Sequence, residues 1–292
     1  MHRSATGGRN GNTWIIALAG LLAASLAGDA GAAPPQRIVS INICGDLLAL
    51  SLAPRARIAS VTFLAADPIM SPIASAADGV PLNYGKAEEV LALRPDLVLA
   101  GRYTARATVA LLERLGYPVI EFDVVESLDD ARSQIRTAAV AMGVAEAGEK
   151  MIAALDARIE ATAAKRGDRR PLAAVYGPNG FTPGPRTLSG SLIELAGFEN
   201  LAARAGIRYW GNLSLERLLL AQPDVLIVEA RYDRAQALAD QILAHPALDD
   251  LRDRITVAEV PRPLWSCPGP WIVDALDRLV AARVRSRRRA RP

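Results

Sequence analysis

At 292 residues the chain is long for a single core, and at roughly 150 residues per domain it has the length for two lobes. Hydrophobic residues make up 51%, charged residues 22% and aromatics 5%, a balance that excludes a disordered, collagen-like or disulfide-dense chain. The formal net charge of +3 comes from the chain ends: Arg3, Arg9 and six arginines beyond position 282 are basic, the body between them is acidic, and nothing argues for a nucleic-acid partner.

The first segment reads as an address. Arg3 and Arg9 precede the apolar run 14–24, and Ala30-Gly31-Ala32 then supplies the small residues a signal peptidase requires. Residues 1–32 are therefore expected to be a signal peptide cut near Ala32, leaving an exported protein. The run is shorter than the roughly 20 residues a membrane-spanning helix needs. Leu26-Ala27-Gly28 resembles the start of a lipoprotein cleavage site, but Asp29 stands where the lipid-bearing cysteine belongs.

Strands follow at 38–41, 58–61, 97–100 and 119–122, with a helix at 105–115 stopped by Gly116, giving an N-terminal α/β lobe over 33–125. The Ala-rich stretches 128–142 and 145–165 carry Met151, Ile152, Leu155 and Ile159 on one helical stripe. They predict a helical backbone over 126–167, a strut of roughly 30 Å joining the lobes. Strands at 172–176, 225–228 and 255–260, with helices at 192–196, 235–244 and 271–284, make a C-terminal lobe over 168–282. The Arg-rich stretch 283–292 is expected to be a disordered, solvated tail. The fold class is α/β, two Rossmann-like lobes with parallel sheets joined by one long interdomain helix.

One unit is written twice. Residues 88–100 and 216–228 share Glu88/Glu216, Leu91/Leu219, Pro95/Pro223 and Asp96/Asp224 at a constant offset of 128 positions. Two copies make a pseudo-dimer, since stacked arrays need about three or more units.

Ligands of parallel sheets bind beyond the carboxyl ends of the strands, so the segments there hold the candidate site. They contain Asn42 and Cys44, Arg102 and Tyr103, Arg186, Arg231 and Tyr232, and Trp265, Cys267 and Trp271. Tyr84 and the pair Tyr209-Trp210 occupy corresponding places ahead of the two Glu-bearing helices. Aromatic faces with a few arginines suit a large, flat, partly anionic ligand. Catalytic and metal readings fare poorly. After export only His245 remains, at what reads as a helix end, and no Walker loop or Gly-x-Ser-x-Gly elbow occurs. Ser189-Gly190-Ser191 reads as the cap of the helix that follows. No catalytic residue, metal ligand or cofactor is assigned. For Cys44 and Cys267 three readings stand open: a disulfide across the cleft, thiols touching ligand or metal, and inert small apolar residues.

These residues resemble the substrate-binding proteins of iron-siderophore, haem and cobalamin ABC importers, the helical-backbone type called class III. The similarity runs from about Arg37 to Val280, carried by the repeated Glu/Pro-Asp unit and by the tract from Gly184 to Asn200. The resemblance implies that an exposed glutamate on each lobe, Glu88 and Glu216, docks into a dimeric membrane permease. It also implies a monomeric periplasmic receptor for a metal chelate, either a ferric siderophore or a corrinoid such as cobalamin. Lacking a spare cleft His or a Tyr/His pair, the chain is a poor match for axial haem ligation. The rival expectations are a thiol-dependent periplasmic enzyme using Cys44 or Cys267, and a chelate-binding sensor without a permease.

Overall fold

A computed structural model describes residues 33–163, 169–229 and 245–289. The first sheet contains β1 (Ile38–Ser40), β2 (Ile58–Thr62), β3 (Leu82–Asn83), β4 (Leu97–Gly101) and β5 (Val119–Phe122), in the order β3-β2-β1-β4-β5 and parallel throughout. All five residues of β4 are buried, as expected of a parallel strand covered on both faces. The covering helices include α1 (Ile43–Leu52), α2 (Ala87–Ala92) and α3 (Arg106–Arg114). Residues 43–46, read from sequence as part of a polar tip, are in fact the first turn of α1, capped by the Asn42 side chain, which accepts from the backbone N–H groups of Cys44 and Gly45.

The connection between the sheets is an antiparallel helix pair, α4 (Leu128–Ala141) and α5 (Ala145–Ala163). Gly143 turns the corner at φ +67°, where a side chain is strained and a Cβ would lie 2.6 Å from that of Pro34. Arg132 pairs with Asp156 at 2.8 Å and Arg136 with Glu149, which fixes the antiparallel register. The 19 residues of α5 run about 28 Å and pack on the last helix of the chain, while α4 packs on α1.

The second sheet contains β6 (Leu172–Val175), β8 (Glu199–Asn200), β10 (Val225–Val228) and β11 (Thr256–Glu259), parallel in the order β11-β10-β6-β8. Between them β7 (Phe181–Pro183) and β9 (Trp210–Asn212) pair antiparallel as a separate ribbon. The helices are α6 (Leu188–Leu195), α7 (Leu201–Arg204), α8 (Leu215–Ala221), α9 (Pro246–Arg254), α10 (Pro263–Ser266) and α11 (Ile272–Arg289). Thr187, not Ser189, caps α6, its hydroxyl accepting from Gly190 N–H at 2.9 Å. His245 caps the start of α9, its Nδ1 accepting from Ala247 N–H at 3.2 Å.

The expected disordered tail requires correction, because α11 continues to Arg289. No glycine or proline interrupts the chain from Ile272 until Pro292, and Leu279, Ala282, Arg283 and Ser286 continue the buried face at helical spacing. Arg283 is only 1% exposed, its guanidinium laid against Gly197, whose φ of +86° and missing side chain leave the room. The 128-position repeat has a structural counterpart, since Glu88 and Glu216 are each the second residue of their helices, α2 and α8.

A single apolar cluster joins the two sheets. It includes Leu99 and Phe122 from the first, Val175 and Ile227 from the second, and Leu188, Leu192 and Trp265 between them. Among the described residues no helix is long and apolar enough to cross a membrane. The proposed helix at 235–244, the signal segment and residues 290–292 lie outside the described residues.

Candidate functional site

In each sheet the strand order reverses at one place, leaving a crevice beyond the carboxyl ends of two neighbouring strands. In the first sheet these strands are β1, leading into Asn42, and β4, ending at Gly101 and leading into Arg102. In the second they are β6 and β10, leading into Tyr176 and into Glu229. A cleft of about 350 Å³ opens between the two crevices, lined by Asn42, Gly101, Arg102 and Thr104 on one side and by Val175, Glu229 and Arg262 on the other. Gly101 is required where it stands, because a Cβ there would collide with the Asn42 amide.

Phe122, Val125, Phe181, Leu188, Trp210 and Trp265 supply the apolar walls. The arginines nearby are matched by carboxylates. Arg102 pairs with Asp123, Arg186 with Glu126 at 3.2 Å, and Arg262 with Glu229 at 2.6 Å. Behind them Arg106 pairs with Glu121 at 3.4 Å. Arg186 also lies 5.1 Å from the centre of the Tyr209 ring. Among the described residues, charge is thus balanced locally along both lips.

Of the residues expected to hold ligand, the cleft lining includes Asn42, Cys44, Arg102, Tyr103, Trp210 and Trp265. Tyr103 is 75% exposed, whereas Trp265 forms a buried wall. Arg186 and Tyr209 stand just outside as a stacked pair. Tyr84 lies apart, its ring stacked on that of Phe63 with centroids 4.9 Å apart. Trp271 is a core residue rather than a cleft face, and its indole N–H donates to the Cys267 carbonyl at 2.8 Å. Arg231 and Tyr232 lie outside the described residues. Sequence reasoning passed over the segment after β5, residues 123–126, although the carboxyl-end rule applied to that strand points to it. It also passed over Gln134 of α4, which no motif marks.

The cysteines are joined. Cys44, at the start of α1, and Cys267, just before α11, form a disulfide with Cα atoms 5.2 Å apart, so the readings as free ligand-touching thiols and as inert residues are both corrected. A thiol-dependent enzyme thereby loses its nucleophile. The bridge ties the first half of the chain to the second at the cleft floor, and Glu126 adds a second tie by accepting from Ser191 Oγ at 3.2 Å through its carbonyl. Beside the bridge, Asp46 is fully buried, accepts from Thr62 N–H at 3.1 Å and bonds the Thr62 hydroxyl. Burial pushes its carboxyl up to about 6, against the hydrogen bonds from Ser40 and Thr62.

Glu88 and Glu216 are both exposed in the first turns of their helices. The preceding chain is set by capping: Glu89 accepts from Tyr84 N–H at 2.7 Å, and Ser214 Oγ accepts from Arg217 N–H at 3.3 Å. Backbone N–H and the Ser214 hydroxyl hold the Glu216 carboxyl below its ordinary range. Burial, with the Glu216 charge, raises the Tyr176 phenol. Among the described residues no group of three or more His, Cys, Asp or Glu is placed to hold a metal ion.

Two parallel α/β sheets bracketing one cleft, braced by helices and carrying twin exposed glutamates, define a two-lobed binding protein. Residues 74–252 match the family described as periplasmic binding protein, and the chain belongs to that family. It is 30% identical over 220 residues to a cobalamin-binding protein of Halobacterium salinarum, covering 72% of this chain and 58% of that protein. The chain therefore spans somewhat over half the length of the curated relatives it matches. Among solved structures, the periplasmic heme-binding protein RhuT from Roseiflexus sp. RS-1 in apo form aligns with a TM-score of 0.71 and 28% identity, over 86% of this chain and 98% of that one. The periplasmic vitamin B12 binding protein BtuF of Vibrio cholerae shares the fold, with a TM-score of 0.66 and 18% identity over 87% of this chain and 98% of that one.

Proposed function

We propose that the protein is the periplasmic receptor of an ABC importer, that it captures a corrinoid in the cleft between its sheets, and that it hands the cargo to a permease through Glu88 and Glu216. Of the two chelate classes the sequence allows, the observation favouring a corrinoid is the pairing of Arg102, Arg186 and Arg262 with Asp123, Glu126 and Glu229. A ferric siderophore of high negative charge needs uncompensated cations, whereas a macrocycle edged by neutral amides needs apolar walls and balanced dipoles. Phe122, Phe181, Leu188, Trp210 and Trp265 supply such walls. The kinship with a cobalamin-binding protein supports the same reading. A disulfide fits the oxidising compartment that export implies.

The test is a fluorescence titration of the mature chain, using Trp210 and Trp265 as reporters, with cyanocobalamin and a ferric tris-catecholate as competing probes. Saturable one-to-one quenching by cyanocobalamin is expected. Binding of the ferric probe alone, weakening steeply with salt, would overturn the corrinoid assignment.

Haem is a second reading, favoured by the exposed Tyr103 phenol on the cleft lip and by the heme-binding structural relative. It predicts a haemin spectrum that changes in Tyr103→Phe.

A further inference from the structure

One buried polar group in the cleft wall is only half engaged. Gln134, in the second turn of α4, is 8% exposed. Its Nε2 donates to the Asp123 carbonyl oxygen at 3.1 Å, while its Oε1 has no hydrogen-bond partner. The amide cannot be turned the other way, because that would set two acceptor oxygens against each other. The group left over is therefore an acceptor, held in place by a bond to the backbone. Leaving such an atom buried and unpaired costs about 1–3 kcal/mol, so a site that keeps one favours any occupant that brings a donor.

Gln134 lies in the wall against which an occupant would sit; its Oε1 is covered, so a donor reaches it by displacing the side chains over it. Gln134 borders the main cleft and also a smaller recess of about 240 Å³, lined by Glu121, Asp123, Asp130, Ser133 and Thr137. Glu121 and Asp123 of that recess are paired with Arg106 and Arg102, so the acceptor left over there is Gln134 Oε1, which takes an N–H and turns away a second acceptor oxygen. The propionates of haem and the oxygens of a catecholate bring acceptors to this wall. A corrin ring brings primary amides, each with two N–H donors.

We propose that Gln134 is a specificity-determining residue whose Oε1 accepts a hydrogen bond from a peripheral amide of a corrinoid, so that the cleft distinguishes amide-edged macrocycles from acid- or ester-edged ones. The proposal rests on the reading of the cleft as a corrinoid site. It differs from stacking and from charge pairing in reading one functional group on the rim of the ligand.

Two probes that share a ring and differ at its edge test it: dicyanocobinamide, which carries amides, and dicyanocobyrinic acid heptamethyl ester, which carries none. Wild-type protein should bind the amide probe at least roughly tenfold more tightly, the equivalent of one buried hydrogen bond. Gln134→Met, close in shape but lacking the acceptor, should bring the two affinities within about threefold by weakening the amide probe and sparing the ester. Gln134→Leu should do the same, and melting curves of both variants read the integrity of the fold. A wild-type ratio near one overturns the proposal without any variant. So does a ratio that survives both substitutions. If wild-type protein binds neither probe nor cyanocobalamin, the corrinoid reading itself falls.

Discussion

Removing the disulfide should cost the protein a large part of its thermal resistance. Cys44 and Cys267 are separated by 223 positions, so the bridge closes nearly the whole described body into one loop. The chain-entropy relation gives about 5 kcal/mol for a loop of this length, near the upper end of what native disulfides contribute. For a chain of this size each kcal/mol moves the midpoint by roughly 2–4 °C. Cys44→Ala/Cys267→Ala, made together so that no single thiol is left, should lower Tm by roughly 10 °C or more in calorimetry under oxidising conditions. Wild-type protein treated with a phosphine reductant should melt with the double variant. The apolar cluster already joins the two sheets without the bridge. A fall of less than about 3 °C would therefore mean that this packing alone holds them, and the loop-entropy reasoning would be wrong.

Two other perturbations follow from buried and exposed carboxyls. The Asp46 carboxyl is raised from 3.8 to about 6, so the folded state keeps a proton that the unfolded chain has released. This contribution is intact below about pH 4 and is lost as pH rises to 6, a loss of roughly 3 kcal/mol. Asp46→Asn should remove that slope: urea unfolding at pH 4, 5, 6 and 7 should show the variant gaining on wild type up to pH 6 and level above it, and parallel curves would refute the sign. Under the proposed docking role, Glu88→Lys/Glu216→Lys should abolish stimulation of a cognate importer's ATPase in nanodiscs, since both side chains are exposed, while the proposed binding of cyanocobalamin changes less than about twofold in affinity. Stimulation that survives both reversals would remove the docking assignment.

Legibility in the sequence followed local chemistry. The strand at 225–228 was readable to the residue because Pro223-Asp224 turns the chain into a run of four apolar residues. The twin glutamates were readable because duplication repeats their surroundings. The β7 and β9 ribbon was hidden, since Pro183 and Gly211 give strands of three residues no alternating pattern. The tail misled because its arginines suggest a solvated end, whereas burial of Arg283 depends on Gly197, far away in sequence. The same holds for the disulfide and for the paired cleft charges. Each joins segments whose neighbourhood exists only after folding, and Gln134 became visible only when its partner Asp123 carbonyl was in place.

The matched charges along the cleft also bear on how cargo arrives. Among the described residues the lips carry paired charges, which pull ions little from a distance, so encounter there is governed by diffusion and by the fit of the colliding faces. Under the proposed receptor role, capture governed this way would keep its pace in dilute or brackish surroundings, where a charge-steered one would slow as salt rises.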